Sequence, residues 1–209
     1  MSSAVGTLPS AQRSLLRTLL KPGNIVPAAA WSFLVLNQAL NSPLPPSPST
    51  VLLVLIYSVA LVLFVVRRDA ERVGNKIEMA IAVAGTFIVS FLEGPKIRDT
   101  HWLPSVVQFI ALVGWTASLV SLGRSFGIVP ADRGLVRHGP YRYIRHPIYA
   151  FEVLFFLGFL IAVPTSRSAG IIAVWLVLQI MRILREERIL SGYEEYKRQV
   201  PWRILPGVW

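Results

Sequence analysis

The chain has 209 residues, of which 54% are hydrophobic and only 15% charged, with a mean hydropathy of +0.56. A soluble domain carries about 25% charged residues, so this composition excludes an ordinary water-soluble globule. The 21 Lys and Arg against 11 Asp and Glu leave a net charge of +10, which beside long apolar runs points to anionic lipid rather than nucleic acid, and the lack of cysteine excludes a disulfide scaffold, a thiolate metal site and a cysteine nucleophile.

A bilayer-spanning helix needs roughly 20 mostly apolar residues, about 17 at the short end. Residues 1–20 are polar and basic, with no apolar stretch leading to a small-residue cleavage site, so no cleaved signal peptide is read there. Six apolar segments follow. Ile25–Leu40 is the weakest, carrying Asn37 and Gln38, and the Pro-rich Ser42–Ser49 turn leads to Val51–Val66. Ile77–Leu92 opens with Glu78, and Leu103–Leu122 carries Gln108. Pro147–Val163 contains Glu152, and Ala169–Ile183 contains Gln179 and Arg182; joined by Pro164–Ser168 alone, these two must form an antiparallel hairpin. Asn37, Gln38 and Gln108 are expected to hydrogen-bond between helices.

Loop charges test this count. Taken alternately, one set of loops holds eighteen Lys and Arg and the other holds three, Lys96, Arg98 and Arg167. Positive charge marks the cytoplasmic side, which places both termini and the 123–146 loop there. The expected fold is therefore an all-α, polytopic transmembrane helical bundle of six spans. Five spans plus an interfacial first helix is the alternative.

Polar residues concentrate in two places. The 123–149 segment mixes Gly, Pro, Arg, His and Tyr in a loop longer than a minimal helix connection, and such loops are often functional. Arg145-His146-Pro147 runs directly into a span. Proline suits the first helical position, which puts His146 at the N-cap, beside free backbone N–H groups and the positive end of the helix dipole. That place receives a carboxylate or another anion, and Tyr149 lies on the same face as His146. Glu152, six residues past His146, is either a site carboxylate or a hydrated group near the helix end.

The second cluster ends the last span. Gln179, Arg182 and Glu186 are spaced by three and four residues and share one stripe, with Glu187 beside them. The antiparallel hairpin should bring Arg182 and Glu186 within reach of His146 and Tyr149. The result is a site that binds opposite charges side by side. The tail from Tyr193 to Trp209 mixes aromatic and basic residues and reads by itself as an interfacial anchor. His101 and His138 have no partner pattern, no histidine spacing suggests a metal, and neither phosphate-loop glycine motif nor internal repeat is present.

Together, Gly139-Pro140-Tyr141, Arg145-His146-Pro147-Ile148-Tyr149, Arg182 with Glu186-Glu187, and Tyr196, Val200-Pro201-Trp202-Arg203 and Pro206 resemble the isoprenylcysteine carboxyl methyltransferase family. Phospholipid N-methyltransferases and small thiol methyltransferases share a similar set. The resemblance covers residues 120–209 and implies a division into N-terminal, substrate-facing helices (1–122) and a catalytic region (123–209) with cofactor loop, hairpin and tail. It implies an S-adenosylmethionine site, without metal, formed by Arg133, Gly134, Leu135, Val136, Tyr141, His146, Pro147, Ile148, Tyr149 and Glu186, and a substrate-facing Arg182. The implied acceptor is a lipophilic or prenylated molecule from the bilayer, first an isoprenylcysteine carboxylate, then a phospholipid amine or small thiol. Ser125 and Phe126 stand where the family has a glutamine contact. Sterol reductases share a related His-Pro-x-Tyr layout with NADPH, and a non-catalytic membrane scaffold is the third reading.

Overall fold

In the computed structural model the described residues are 48–92 and 102–209, with isolated helical positions between 29 and 40. Asn37, Gln38 and His101 lie outside them, as does most of the expected first span. The long apolar runs fold as helices, and polar punctuation sets their ends. Helix α1 is Pro48–Val66, α2 is Lys76–Phe87 with a 3-10 turn at Ile88–Phe91, and α3 is Trp102–Leu122 with a 3-10 turn at Gly123–Ser125. Helices α4 (Pro147–Ala162) and α5 (Ser166–Ile189) form the expected hairpin, and a short α6 follows at Tyr193–Gln199.

Caps explain the starts. Asn75 opens α2 with a capping box, its side chain accepting from the Glu78 N–H while the Glu78 carboxylate accepts from the Asn75 N–H. Thr165 opens α5 by accepting from the Ser168 N–H at 3.1 Å. His146 is the N-cap of α4 with Pro147 at the first helical position, as the sequence predicts. Gly192, at φ +71°, makes the left-handed turn that lets α6 fold back from α5.

Among the described residues, two helices are long and apolar enough to cross a membrane: Trp102–Ser125 and Ser166–Ile189, 24 residues each. At 1.5 Å per residue each measures about 36 Å, more than the ~30 Å hydrocarbon core. Thr50–Val66 and Pro147–Ala162 are shorter apolar helices. Ile77–Leu92, read as one span, is α-helical only to Phe87 and tightens into a 3-10 turn, so its α-helical part is about 18 Å long. β-branched Thr86, Ile88 and Val89 cluster at that break, and the Thr86 hydroxyl donates back to the Ala82 carbonyl at 2.8 Å.

Packing crosses the hairpin. Helix α3 lies along both α4 and α1, whereas α5 packs chiefly on α2. One core joins Ile56, Ala60 and Phe64 of α1 to Leu112 and Leu119 of α3 and to Phe126 and Ile128. A second joins Phe156 of α4 to Ile172 and Trp175 of α5, with the Phe156 and Trp175 rings 4.6 Å apart. Gln108 lies against Gly158 of α4, where a Cβ would stand 2.9 Å from its Cγ.

The bundle carries a small antiparallel ribbon that the all-α reading lacks: β1 (Arg72–Val73) pairs with β2 (Ala131–Asp132). It ties the loop after α1 to the loop after α3, aided by backbone bonds from Glu71 N–H to Asp132 O and from Gly74 N–H to Pro130 O, both 2.9 Å.

Candidate active site

Under the 125–136 loop, and walled by residues of α1 to α5, lies a cavity of about 520 Å³. This is within the ~300–1,000 Å³ typical of small-molecule sites. Its lining is graded. Toward the loop it meets Arg133, Gly134, Leu135, Val136, Tyr141, His146, Tyr149 and Glu186; toward the bundle it meets Val89, Leu92, Phe155, Phe156, Phe159 and Trp175. Glu152, Gln179 and Arg182 also line it, and so do Ser125 and Phe126. Of the ten residues expected around the cofactor, nine line this cavity; the tenth, Pro147, is buried at the start of α4.

The hairpin sets the polar geometry. The Tyr149 hydroxyl of α4 donates to the Glu186 carboxylate of α5, and the Tyr149 ring sits 5.7 Å from the His146 ring and 5.3 Å from the Arg182 guanidinium. His146 is not paired with Glu186. Its Nε2 lies 3.2 Å from an oxygen of the neighbouring Glu187. That same oxygen accepts from Arg145 Nη1 at 3.2 Å, the Tyr193 hydroxyl at 2.6 Å and Arg203 Nε at 2.8 Å, while Arg203 Nη2 reaches the second oxygen at 3.0 Å. Glu187 is thus the knot of the bundle's loop end, a role that its place beside the Gln179-Arg182-Glu186 stripe does not reveal.

The tail differs from the expected interfacial anchor. Tyr193 and Tyr196 are buried inside the protein, and Tyr196 donates to the Tyr141 carbonyl at 2.6 Å. Beyond them the chain returns to the head of α4, with the Arg145 and His146 N–H groups donating to Trp202 O and Arg203 O at 2.9 and 2.8 Å. The cause is electrostatic and local: buried Arg145 and Glu187 both need partners, and Pro201 O, Tyr193 and Arg203 supply them. An Arg placed after a Val-Pro-Trp turn was the one sequence signal for this closure.

The loop roof is held by Asp132, which no motif or periodicity in the sequence marks. Its carboxylate accepts from the Gly134 N–H at 3.1 Å and from the Ser191 N–H at 2.9 Å, linking β2 to the end of α5. Burial raises its proton affinity, but the bonds from Ser191 and Gly134 and the nearby Arg72 outweigh it and hold the carboxyl below its ordinary value. Such a group stabilises the fold fully above the ordinary carboxylate pKa of about 3.9, and that stability drains as pH falls through its lower folded value. Asp132→Asn is therefore expected to lose about 1–3 kcal/mol at pH 7. Its thermal-unfolding difference from wild type should shrink on acidification below about pH 4. A pH-independent difference would contradict this.

Arg133, next to Asp132, lies over Gly127, where a Cβ would stand 2.7 Å from its Nη1. Glycine leaves room for the guanidinium. The Nε atoms of Arg133, Arg145 and Arg182 are buried without a hydrogen-bond partner among the described residues. Unpaired buried donors are costly; all three arginines line the cavity, and two of them, Arg133 and Arg182, are residues expected to hold ligand. The Ser125 hydroxyl donates to the Arg133 carbonyl at 3.0 Å, so it supports the loop rather than replacing the missing glutamine contact. His138 is exposed. Among the described residues no group of His, Asp and Glu is arranged to hold a metal ion.

This geometry can be set beside known proteins. Residues 105–197 match the family described as phospholipid methyltransferase. The chain is 24% identical over 152 residues to a Tribolium castaneum protein named protein-S-isoprenylcysteine O-methyltransferase, covering 65% of this chain and 54% of that one. It is 27% identical over 129 residues to the cobalt-zinc-cadmium resistance protein CzcN of Cupriavidus metallidurans, covering 57% of this chain and 59% of that one. The chain thus spans between half and three-fifths of the length of these relatives. The resemblance seen in the motifs is borne out, and the family match includes α4, α5 and the cavity loop.

Proposed function

We propose, from the premise that residues 105–197 have the phospholipid methyltransferase pattern, that the chain is an integral membrane methyltransferase using S-adenosylmethionine on a lipophilic acceptor. The observation that carries this reading is the graded cavity, with paired charges at its loop end and aromatic walls at its bundle end. The chain's residues fit such a donor. Glu186 offers a carboxylate to a cationic amino-acid end, while the buried, unpartnered Arg133 Nε and the free N–H groups at the start of α4 offer donors to a carboxylate. Leu135, Val136 and Ile148 offer apolar surface for a purine. When bound, the donor supplies an activated methyl group on sulfur.

The protein's contribution is placement and exclusion of water. Tyr149 orients Glu186 through its hydroxyl, and His146 is held against Glu187 at the mouth of α4. Arg182, in the middle of the cavity wall, can receive an anionic acceptor head while Phe155, Phe156 and Trp175 take its apolar chain. Aligning acceptor and methyl carbon within about 3–3.5 Å supplies much of the rate enhancement, and an ionised carboxylate needs no base. An isoprenylcysteine-type carboxylate is therefore the first acceptor, with phospholipid amines and small thiols the second. The eighteen-to-three loop charge bias supports a cytoplasmic active site with both termini on that side.

The test is transfer of labelled methyl from S-adenosylmethionine by detergent-purified protein to N-acetyl-S-farnesylcysteine, phosphatidylethanolamine and an alkyl thiol. Methylation of the farnesylcysteine carboxylate is expected. Methylation of the amine or thiol alone would overturn the acceptor, and no transfer to any would overturn the enzymatic reading.

A further inference from the structure

One feature of the cavity wall is used neither by the donor nor by the mouth of the site. Glu152 of α4 and Arg182 of α5 are not in direct contact through any hydrogen bond; Gln179 stands between them. Its Nε2 donates to Glu152 Oε2 at 3.1 Å, and its Oε1 accepts from Arg182 Nη1 at 3.0 Å. Arginine can only donate and a carboxylate can only accept, whereas the Gln179 amide does both, so it can stand between them with its orientation fixed by its two neighbours. Gln179 and Arg182 are 3% and 8% exposed, so their polar atoms depend on these partners. Arg182 is held a second time, by Nη2 to the Ile128 carbonyl at 3.1 Å. On the side of α2, Gly85 packs against the two side chains: a Cβ there would meet Arg182 Cδ at 3.4 Å and Gln179 Oε1 at 3.5 Å, ordinary contact distances. The Arg182 nitrogen with no hydrogen-bond partner among the described residues is its buried Nε.

We propose that Glu152 is a positioning residue that acts on Arg182 through Gln179, fixing the guanidinium so that its unpaired Nε edge meets the acceptor's anionic head. The carboxylate partly offsets the arginine's charge before acceptor arrives, and the intervening amide keeps the two from closing into an ion pair that would use up the donor edge. This deepens the methyltransferase reading and rests on it for the identity of the ligand, but the relay itself does not.

Two measurements separate the two. The first needs no ligand: thermal unfolding, in detergent, of Glu152→Ala, Arg182→Met and the double variant, each with Gln179 and with Gln179→Met, which keeps the side chain's length without its amide. Non-additive shifts in melting temperature are expected with Gln179 and additive ones with Gln179→Met. Additivity in both backgrounds, or equal non-additivity in both, overturns the relay. The second is calorimetric titration of N-acetyl-S-farnesylcysteine and, separately, S-adenosylhomocysteine. Glu152→Ala should weaken the farnesylcysteine about tenfold, while Glu152→Gln, whose carbonyl still accepts from Gln179, stays within about threefold of wild type. S-adenosylhomocysteine affinity should not move with either. Equal loss in both variants, or loss of S-adenosylhomocysteine affinity alongside, overturns the positioning role. If wild type bound neither ligand, the methyltransferase reading would fall while the unfolding cycle still decided the relay.

Discussion

Glu187→Ala is expected to be the most damaging single change among the described residues, lowering the melting temperature by roughly 10 °C. Four side chains converge on this one carboxylate: Arg145, His146, Tyr193 and Arg203. Arg145 and Glu187 side chains are 3% and 11% exposed, so removal strands a buried guanidinium, for which about 3–5 kcal/mol is typical. At roughly 2–4 °C per kcal/mol for a chain of this size, the shift follows. The loss is also topological, since the same residue fastens the tail to the head of α4. Glu187→Gln keeps an acceptor but not the charge and should fall between. Arg203→Ala should cost less, because Arg203 is 24% exposed and solvent can take part of its role. A change below about 2 °C for Glu187→Ala would show that the knot contributes little to stability.

Glu186→Ala should behave in the opposite way, leaving the melting temperature nearly unchanged and removing donor binding. Glu186 is one residue from the knot yet faces the cavity, where Tyr149 donates to it. A charge-assisted bond to a ligand cation is worth about 1.5–3 kcal/mol, so S-adenosylhomocysteine should bind about 10–100-fold more weakly. Tyr149→Phe removes only the orienting hydroxyl and should weaken binding by less than Glu186→Ala. If Glu186→Ala bound the ligand as wild type does, the assignment of this carboxylate to the donor's cationic end would be wrong.

The contrast between these neighbours shows what could be read in advance. Helical spacing placed Gln179, Arg182 and Glu186 on one stripe, and all three line the cavity. The short hairpin connection, residues 163–165 between the two helices, brings that stripe to His146 and Tyr149, because so short a link leaves two helices no other arrangement. Glu187 was illegible for the same reason that Glu186 was legible. It points to partners that include Arg145, 42 positions earlier, and Arg203, 16 later, and periodicity carries no information on such pairs. Asp132 is illegible likewise, since its bond to Ser191 spans 59 positions. The β1–β2 ribbon has two residues per strand, too short for an alternating pattern. Tyr193 and Tyr196 look like interfacial aromatics because burial of a tyrosine depends on whether its hydroxyl finds a partner, and those partners come from other segments.

The apolar half was legible in kind more than in detail. Hydropathy marks Leu103–Leu122 and Ala169–Ile183, and the helices found there are long enough to span. It does not show that Ile77–Leu92 changes to a 3-10 turn after Phe87, where β-branched residues cluster, since mean hydropathy carries no information on helix type.

The most direct test of the methyltransferase reading is calorimetric titration of detergent-purified wild-type protein with S-adenosylhomocysteine and, in parallel, with NADPH. Saturable one-to-one binding of S-adenosylhomocysteine, with no heat from NADPH, is the predicted result. Binding of NADPH in its place, or of neither ligand to folded protein, would contradict the assignment of the cavity to a methyl donor.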